Sequence, residues 1–257
     1  MDSPRVVSLA PSATATITAL GASDRLVGVT HHCAVESGQS PVSVGGWMTP
    51  DLDRIDQLDP DVVLTSDGLQ AEIAEELRQR DHHVIHHEPA SLAEVVASFA
   101  DVGAAIGRPD AGERLVENAR DRIDVVSGTV AERLERSDQS RPVVYCEEWM
   151  DPPMAAGNWV PDVVRTAGGQ YPFVDPGERS REIDEETVRS HDPDHVVLHP
   201  CGYGDRVDPS VVHDRGWDLD AEVHVLNDDL LNQPSPNLLA GIEQLAETLH
   251  PEAFREE

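Results

Sequence analysis

Ile55-Asp56-Gln57-Leu58-Asp59-Pro60-Asp61-Val62-Val63-Leu64 and Val188-Arg189-Ser190-His191-Asp192-Pro193-Asp194-His195-Val196-Val197-Leu198 are two versions of one phrase. In both, an aliphatic residue stands five positions before a Pro-Asp pair and an apolar triplet follows. Each copy reads as a short helix, a proline stop and a buried strand. Proline cannot continue a helix, because it lacks the N–H and clashes with the preceding turn. An unbroken apolar triplet suits a parallel strand covered on both faces. Pro60 and Pro193 are 133 residues apart in a chain of 257. That separation predicts two related α/β lobes, and a cleft between lobes is where a ligand is expected. The plain alternative is coincidence, since helix–Pro–Asp–strand is a common connection.

The surrounding sequence continues the alternation. Strands are predicted at Arg5–Leu9, Leu26–Val29, Val42–Val44, Val62–Leu64 and His83–His87, with helices at Pro11–Leu20, Asp51–Leu58 and Gln70–Arg80. Helices alternating with strands imply a parallel sheet with helices on both faces. The middle differs. Leu92–Ile106 reads as a helix, Gly107-Arg108-Pro109 as a break, and Ala111–Arg136 as one long charged helix ended by Ser137–Ser140. The pattern then resumes with a strand at Val143–Cys146, helices at Trp159–Ala167 and Asp184–Ser190, strands at His195–Leu198 and Val223–Val225, and a closing helix at Ser235–Leu249. The expected architecture is two Rossmann-like lobes with parallel sheets, 1–90 and 142–257. A helical linker, 91–141, contains the long bridging helix.

Composition narrows the function. The chain has 49 acidic residues against 19 basic ones, a net charge of −30, and every basic residue is arginine. That charge excludes nonspecific nucleic-acid binding, which needs cations facing phosphates, and argues against anionic membrane surfaces. The acidic residues are scattered, as expected of a surface adapted to high salt, where self-repulsion is screened. No apolar run approaches the ~20 residues of a membrane span. Met1-Asp2-Ser3-Pro4-Arg5 has neither a basic nor an apolar leader region. The chain as given is therefore expected in the cytoplasm, or outside the cell at the membrane if a leader has been removed. Cys33, Cys146 and Cys201 form no close pair, and an odd count leaves a free thiol.

In parallel α/β sheets, ligands bind beyond the carboxyl ends of the strands. The residues that follow the predicted strands are therefore the candidates. They include Pro11 and Ser12; His31, His32 and Cys33; Trp47; Ser66; Glu148, Trp149 and Met150; and Cys201 and Tyr203. Aromatic residues make up only 4% of the chain, so placing Trp47, Trp149 and Tyr203 on such loops points to a stacking surface for a flat apolar ligand. The plainer reading packs them against their own lobe. His31, His32 and Cys33 together with Cys146, His199 and Cys201 could surround a soft metal, but none has the local spacing of a zinc site, and no metal is assigned. The alternative for the cysteines is that they fill tight turns as small apolar residues. His82, His83, His86 and His87 flank a strand and are read as surface residues. No G-x-S-x-G, phosphate-binding glycine loop or H-E-x-x-H is present, so no catalytic residue is assigned.

Four stretches, taken together, resemble a known family. They are Arg5–Ser12; Pro50–Ile55 continuing through Pro60-Asp61-Val62-Val63; Asp151-Pro152-Pro153-Met154-Ala155-Ala156-Gly157 running to Ala167-Gly168-Gly169; and Glu186-x-Val188 through Pro193-Asp194. They are similar to the class III substrate-binding proteins of ABC importers, which carry vitamin B12, haem and iron–siderophores, and most of all to the vitamin B12 binders among them. The resemblance implies two α/β lobes joined by one rigid helix and a corrinoid as the ligand, with no catalytic cofactor. Glu148–Gly157 looks like the loop that places an aromatic against the corrin, and Trp47 falls where the family has a further aromatic. Where those binders carry a tryptophan after the fourth strand, this chain has Ser66. The resemblance also implies docking onto membrane subunits through acidic residues at the lobe tips, for which Glu72 and Asp205 are the candidates, and a monomer. A ferric-siderophore or haem binder is the nearest alternative, although the candidate loops contain no arginine for an anionic chelate. A metal-binding enzyme or chaperone using the Cys/His residues is the alternative from another class.

Overall fold

The computed structural model describes residues 3–137 and 140–254. It divides into two units: the chain to Pro89 with Ala93–Ala119, and Ala90–Leu92 with the chain from Arg120 onward. In the first unit, β1 (Val6–Ser8) leads into α1 (Pro11–Ala19), followed by β2 (Leu26–Val29), β3 (Val42–Ser43), α2 (Leu52–Leu58), β4 (Val62–Ser66), α3 (Ala71–Gln79) and β5 (Val84–His87). The five strands form one wholly parallel sheet in the order β3-β2-β1-β4-β5. Side chains alternate faces along a strand, and the core splits accordingly. Val6, Val62 and Leu64 pack with Ile17, Val102 and Ile106 on one face, while Val7 and Val63 pack with Ile55, Ala74 and Leu77 on the other. Gly28 lies close to its neighbours: a Cβ there would stand 2.7 Å from a Leu58 methyl, which would have to shift.

Helix α4 (Leu92–Ala105) adds Val102 to the first unit's core, and α5 (Pro109–Ser137) passes from the first unit into the second. Pro109, expected in the break, instead opens α5, where its missing N–H would have had no helical partner anyway. The turn itself is made at Gly107, with φ +71°. The expected stop at Ser137–Ser140 falls partly on residues 138–139, which lie outside the described residues.

The second unit contains β6 (Val144–Met150), β7 (Pro153–Ala155), α6 (Val160–Thr166), β8 (Arg181–Glu182), α7 (Glu185–Ser190), β9 (His195–Leu198), α8 (Val211–Asp214), β10 (Glu222–Val225) and α9 (Asn237–Leu249). Its sheet runs β10-β9-β6-β7-β8. β10, β9 and β6 are parallel, but β7 and β8 are antiparallel, a departure from the wholly parallel sheet expected here. The strand expected at Val143–Cys146 continues to Met150 and turns back as a hairpin. Glu148, Trp149 and Met150 are thus strand residues rather than loop residues. Gly157 fixes the far side of this hairpin. A Cβ there would collide with the backbone of Glu178–Ser180, and its N–H donates to Ser180 Oγ at 2.9 Å. The core holds Tyr145, Tyr171 and Phe173 in edge-on contacts, together with Leu238, Leu239, Ile242, Leu245 and Leu249 of α9, all buried.

The repeated phrase folds alike in the two units. Asp51 caps α2 by accepting the Arg54 N–H at 3.0 Å, and Asp184 caps α7 by accepting the Thr187 N–H at 2.8 Å. Asp59 and Asp192 then turn left-handed, at φ +46° and +47°, immediately before the prolines. Asp61 and Asp194 follow the prolines, and each carboxylate accepts a backbone N–H at 2.7 Å, from Arg5 and Val143 respectively. The aspartate of Pro-Asp therefore ties the start of its own strand to the start of the neighbouring one.

Candidate functional site

In the first unit, Gln70 organises the strand ends. Its side chain is fully buried. Nε2 donates to Leu9 O at 3.1 Å and to Trp47 O at 2.8 Å, and Oε1 accepts the Ser66 N–H at 2.9 Å. One amide thus holds the chain after β1, the turn after β3 and the end of β4. Sequence reading took Gln70 for the start of a helix; a polar residue beside a strand end was the signal available. The Gly68–Gln70 turn is itself held by Asp67, which sits at φ +77° and accepts the Leu69 N–H at 2.8 Å. Trp47 is half-buried, whereas Met48 and Leu69 are 45% and 57% exposed.

The other candidates of this unit divide between surface and core. His31 and His32 are exposed, and Pro11 is half-buried at the start of α1. Ser12 and Ser66 are buried, and Ser66 Oγ donates to His87 O at 3.2 Å. Cys33 is half-buried and packs against the first unit's core, with its Sγ 3.8 Å from Ser8 O and 3.3 Å from Thr30 Oγ1. Three of the four histidines read as surface residues are half-buried and partnered. His82 meets Asp56 at 2.7 Å, His86 meets Glu88 at 2.8 Å, and His87 meets Asp101 at 3.5 Å. Only His83 of the four is exposed.

The second unit presents its strand ends on a different support. Glu147, one residue before the candidates on β6, has a fully buried carboxylate. It accepts two bonds from Arg215, at 3.0 and 2.6 Å, and one from the Tyr145 hydroxyl at 2.9 Å. The Arg215 guanidinium lies 4.7 Å from the centre of the Trp217 ring. Burial pushes the Glu147 carboxyl up, opposed by Arg215 and Tyr145. The next residue but one, Trp149, is 46% exposed and fixed in direction by a bond from its Nε1 to Asp151 O at 2.9 Å. Glu148 and Met150 are half-buried beside it.

The loop after β9 is joined to β6 through backbone bonds from the His199 N–H to Glu147 O and from the Cys201 N–H to Glu148 O, at 2.9 and 3.0 Å. Asp228 clamps that loop by accepting the Gly202 and Gly204 N–H groups at 2.7 and 2.8 Å, which presents Tyr203 at 47% exposure. Cys201 is exposed. His199 is fully buried and held by Asn232; burial lowers its imidazole to about 4, so it is neutral at physiological pH. Cys146 is fully buried, and its thiol is pushed far up by burial alone. Within each unit, these cysteines and histidines form no cluster of metal-ligand geometry among the described residues. Two arginines that sequence reading did not place at the strand ends stand nearby, but their guanidiniums are engaged. Arg206 donates to Tyr203 O at 3.0 Å, and Arg215 to Glu147. Glu72 and Asp205 are both exposed.

Of the five large apolar residues that are exposed among the described ones, Met48, Leu69, Trp149 and Tyr203 stand at strand ends, and Val125 lies on α5.

Comparison with known proteins gives the family and the fold. The sequence profile of the periplasmic binding protein family matches residues 6–222. A cobalamin-binding protein of Halobacterium salinarum is 27% identical over 261 residues, covering 96% of this chain and 69% of the relative. The structure of the periplasmic vitamin B12-binding protein of Vibrio cholerae is similar with a TM-score of 0.77 at 22% identity, covering 99% of each chain. A periplasmic heme-binding protein of Pseudomonas aeruginosa is similar with a TM-score of 0.80 at 20% identity, covering 100% of this chain and 96% of the other. At these identities the two structures speak to the fold.

Proposed function

We propose that this chain, which belongs to the periplasmic binding protein family, binds a corrinoid without chemical conversion, as the substrate-binding component of an ABC importer. The observation that carries the reading is the set of exposed apolar residues, Met48, Leu69, Trp149 and Tyr203, held at strand ends by fixed backbone anchors. A corrinoid offers a broad, largely apolar ring, and a rigid aromatic such as Trp149 contacts it at low entropic cost. The relatedness to a cobalamin-binding protein supports the same ligand class. The Arg215 guanidinium, paired with the buried Glu147 carboxylate, is not free for an anionic siderophore complex. Glu72 and Asp205 are the carboxylates proposed to dock on the membrane subunits, and the binder acts as a monomer.

Haem is the second reading. The exposed imidazoles of His31 and His32 and the phenol of Tyr203 favour it, since these groups serve as axial ligands to haem iron. Parallel titrations with cyanocobalamin and haemin, followed by visible absorbance in molar KCl, separate the two. Saturable cobalamin binding with no Soret shift from haemin is expected. Saturable haemin binding with no cobalamin binding would replace the corrinoid reading by the haem one.

A further inference from the structure

Three ligand-type groups stand together in the second unit, away from the strand-end loops. His195 opens β9, and Glu222 and His224 lie on β10, the edge strand of that sheet. His195 pairs in register with Glu222, and Val197 with His224. Residues two apart on a strand share a face, so the three side chains emerge on the same side. His195 Nδ1 and His224 Nε2 are 3.0 Å apart, and a Glu222 carboxylate oxygen lies 3.9 and 3.8 Å from them. The imidazoles are largely shielded, at 14% and 23% exposure, whereas the glutamate is 77% exposed and able to move.

We propose that His195, Glu222 and His224 form a binding site for a borderline divalent transition-metal ion, zinc or a near neighbour, at the edge of the second sheet. Two nitrogens each about 2.0–2.1 Å from a shared zinc lie about 3.0–3.4 Å apart at bond angles of roughly 95–110°. The observed 3.0 Å separation is already in that range. A small rotamer change of Glu222 brings its carboxylate in as the third ligand. Two imidazoles and a carboxylate are the donors borderline ions prefer, and magnesium is poorly served by nitrogen. Ligation requires neutral imidazoles. Burial lowers both histidines, and for His195 the adjacent His224 and His250 act in the same direction against Glu222 and Asp194. Three protein ligands leave a fourth position for water. A metal here would fasten β10, whose outer edge has no partner strand among the described residues, to β9. The site is independent of the corrinoid reading, because the corrinoid candidates leave the opposite, carboxyl end of β9.

In the absence of metal, the same geometry is a hydrogen bond between one imidazole N–H and the other ring's lone pair, so the experiment must distinguish the two. Zinc is titrated calorimetrically into the full chain in molar KCl with excess magnesium, which occupies the diffuse acidic surface, and the melting temperature is followed in parallel. One saturable zinc per chain and a raised melting temperature are expected. His224→Gln and Glu222→Gln should each weaken zinc at least about tenfold, whereas His213→Gln, at an exposed histidine beside Asp214, should leave it unchanged. Glu222 is exposed, so its variant keeps the test intact if His224→Gln does not fold. Absence of saturable binding, or equal zinc affinity in Glu222→Gln and the unaltered chain, would overturn the site.

Discussion

The two units start from one local device and arrive at different strand ends. In both, a capped short helix ends at a left-handed aspartate before proline, and the next aspartate pins the neighbouring strand. Beyond that the units part. β1 passes directly into α1, and the first unit's strand ends are tied by a neutral amide, Gln70. β6 runs on into the β6–β7 hairpin, and the second unit's strand ends rest on a buried charge pair, Glu147–Arg215. The same scaffold thus carries two kinds of support, one of shared hydrogen bonds and one of ionic contacts.

This contrast sets the order of the expected effects. Glu147→Ala leaves the Arg215 guanidinium without its partner beside the core and is expected to cost about 3–5 kcal/mol of stability. Denaturant unfolding measures it, and a loss under about 1 kcal/mol would show that the pair is no structural support. Gln70→Ala removes the partner of two carbonyls and one N–H, and is expected to cost about 1–3 kcal/mol. Its ligand affinity should fall as well, because the Trp47 turn and the Leu69 turn lose their common anchor. Equal costs for the two variants would erase the distinction drawn between the units.

The imidazoles add a smaller, pH-dependent difference. Burial lowers His195, His199, His224 and His250 in the second unit and His87 in the first. A histidine with a depressed folded value takes up its proton first in the unfolded chain. Its contribution is therefore complete above about 6.5 and declines as pH falls toward the folded value, about 4 for His199. Melting temperature is expected to fall between pH 6.5 and 4, and less steeply in His199→Gln. A flat profile over that interval would contradict the buried neutral assignment.

Much of the scaffold was legible because it is written locally. The Pro-Asp phrases, the apolar triplets and the five inward positions of α9 each declare themselves within a few residues. The hairpin was missed because Asp151-Pro152-Pro153 reads as a loop, and nothing local says that Pro153–Ala155 returns as an antiparallel strand between β6 and β8. Glu147 and Arg215 are 68 residues apart, so their pairing has no sequence signature. His82, His86 and His87 were misplaced on the surface for a related reason. Whether a residue past a strand end faces solvent or its own core depends on the next turn of backbone, as the Cys33 contact with Ser8 shows. Glu222-x-His224 did carry a signal, two ligand types on one strand face, but its partner His195 lies on another strand.

The proposed function rests on ligand contact by exposed apolar groups at strand ends, Trp149 among them. Trp149 tests it most directly, because its side chain is exposed and fixed while its unit's core lies elsewhere. Cyanocobalamin titration of the unaltered chain and of Trp149→Ala, paired with their melting temperatures, is the decisive measurement. Saturable binding to the unaltered chain is expected, with a loss of about 1–3 kcal/mol in binding energy for the variant and a nearly unchanged melting temperature. Equal cobalamin affinity in the two proteins would contradict it.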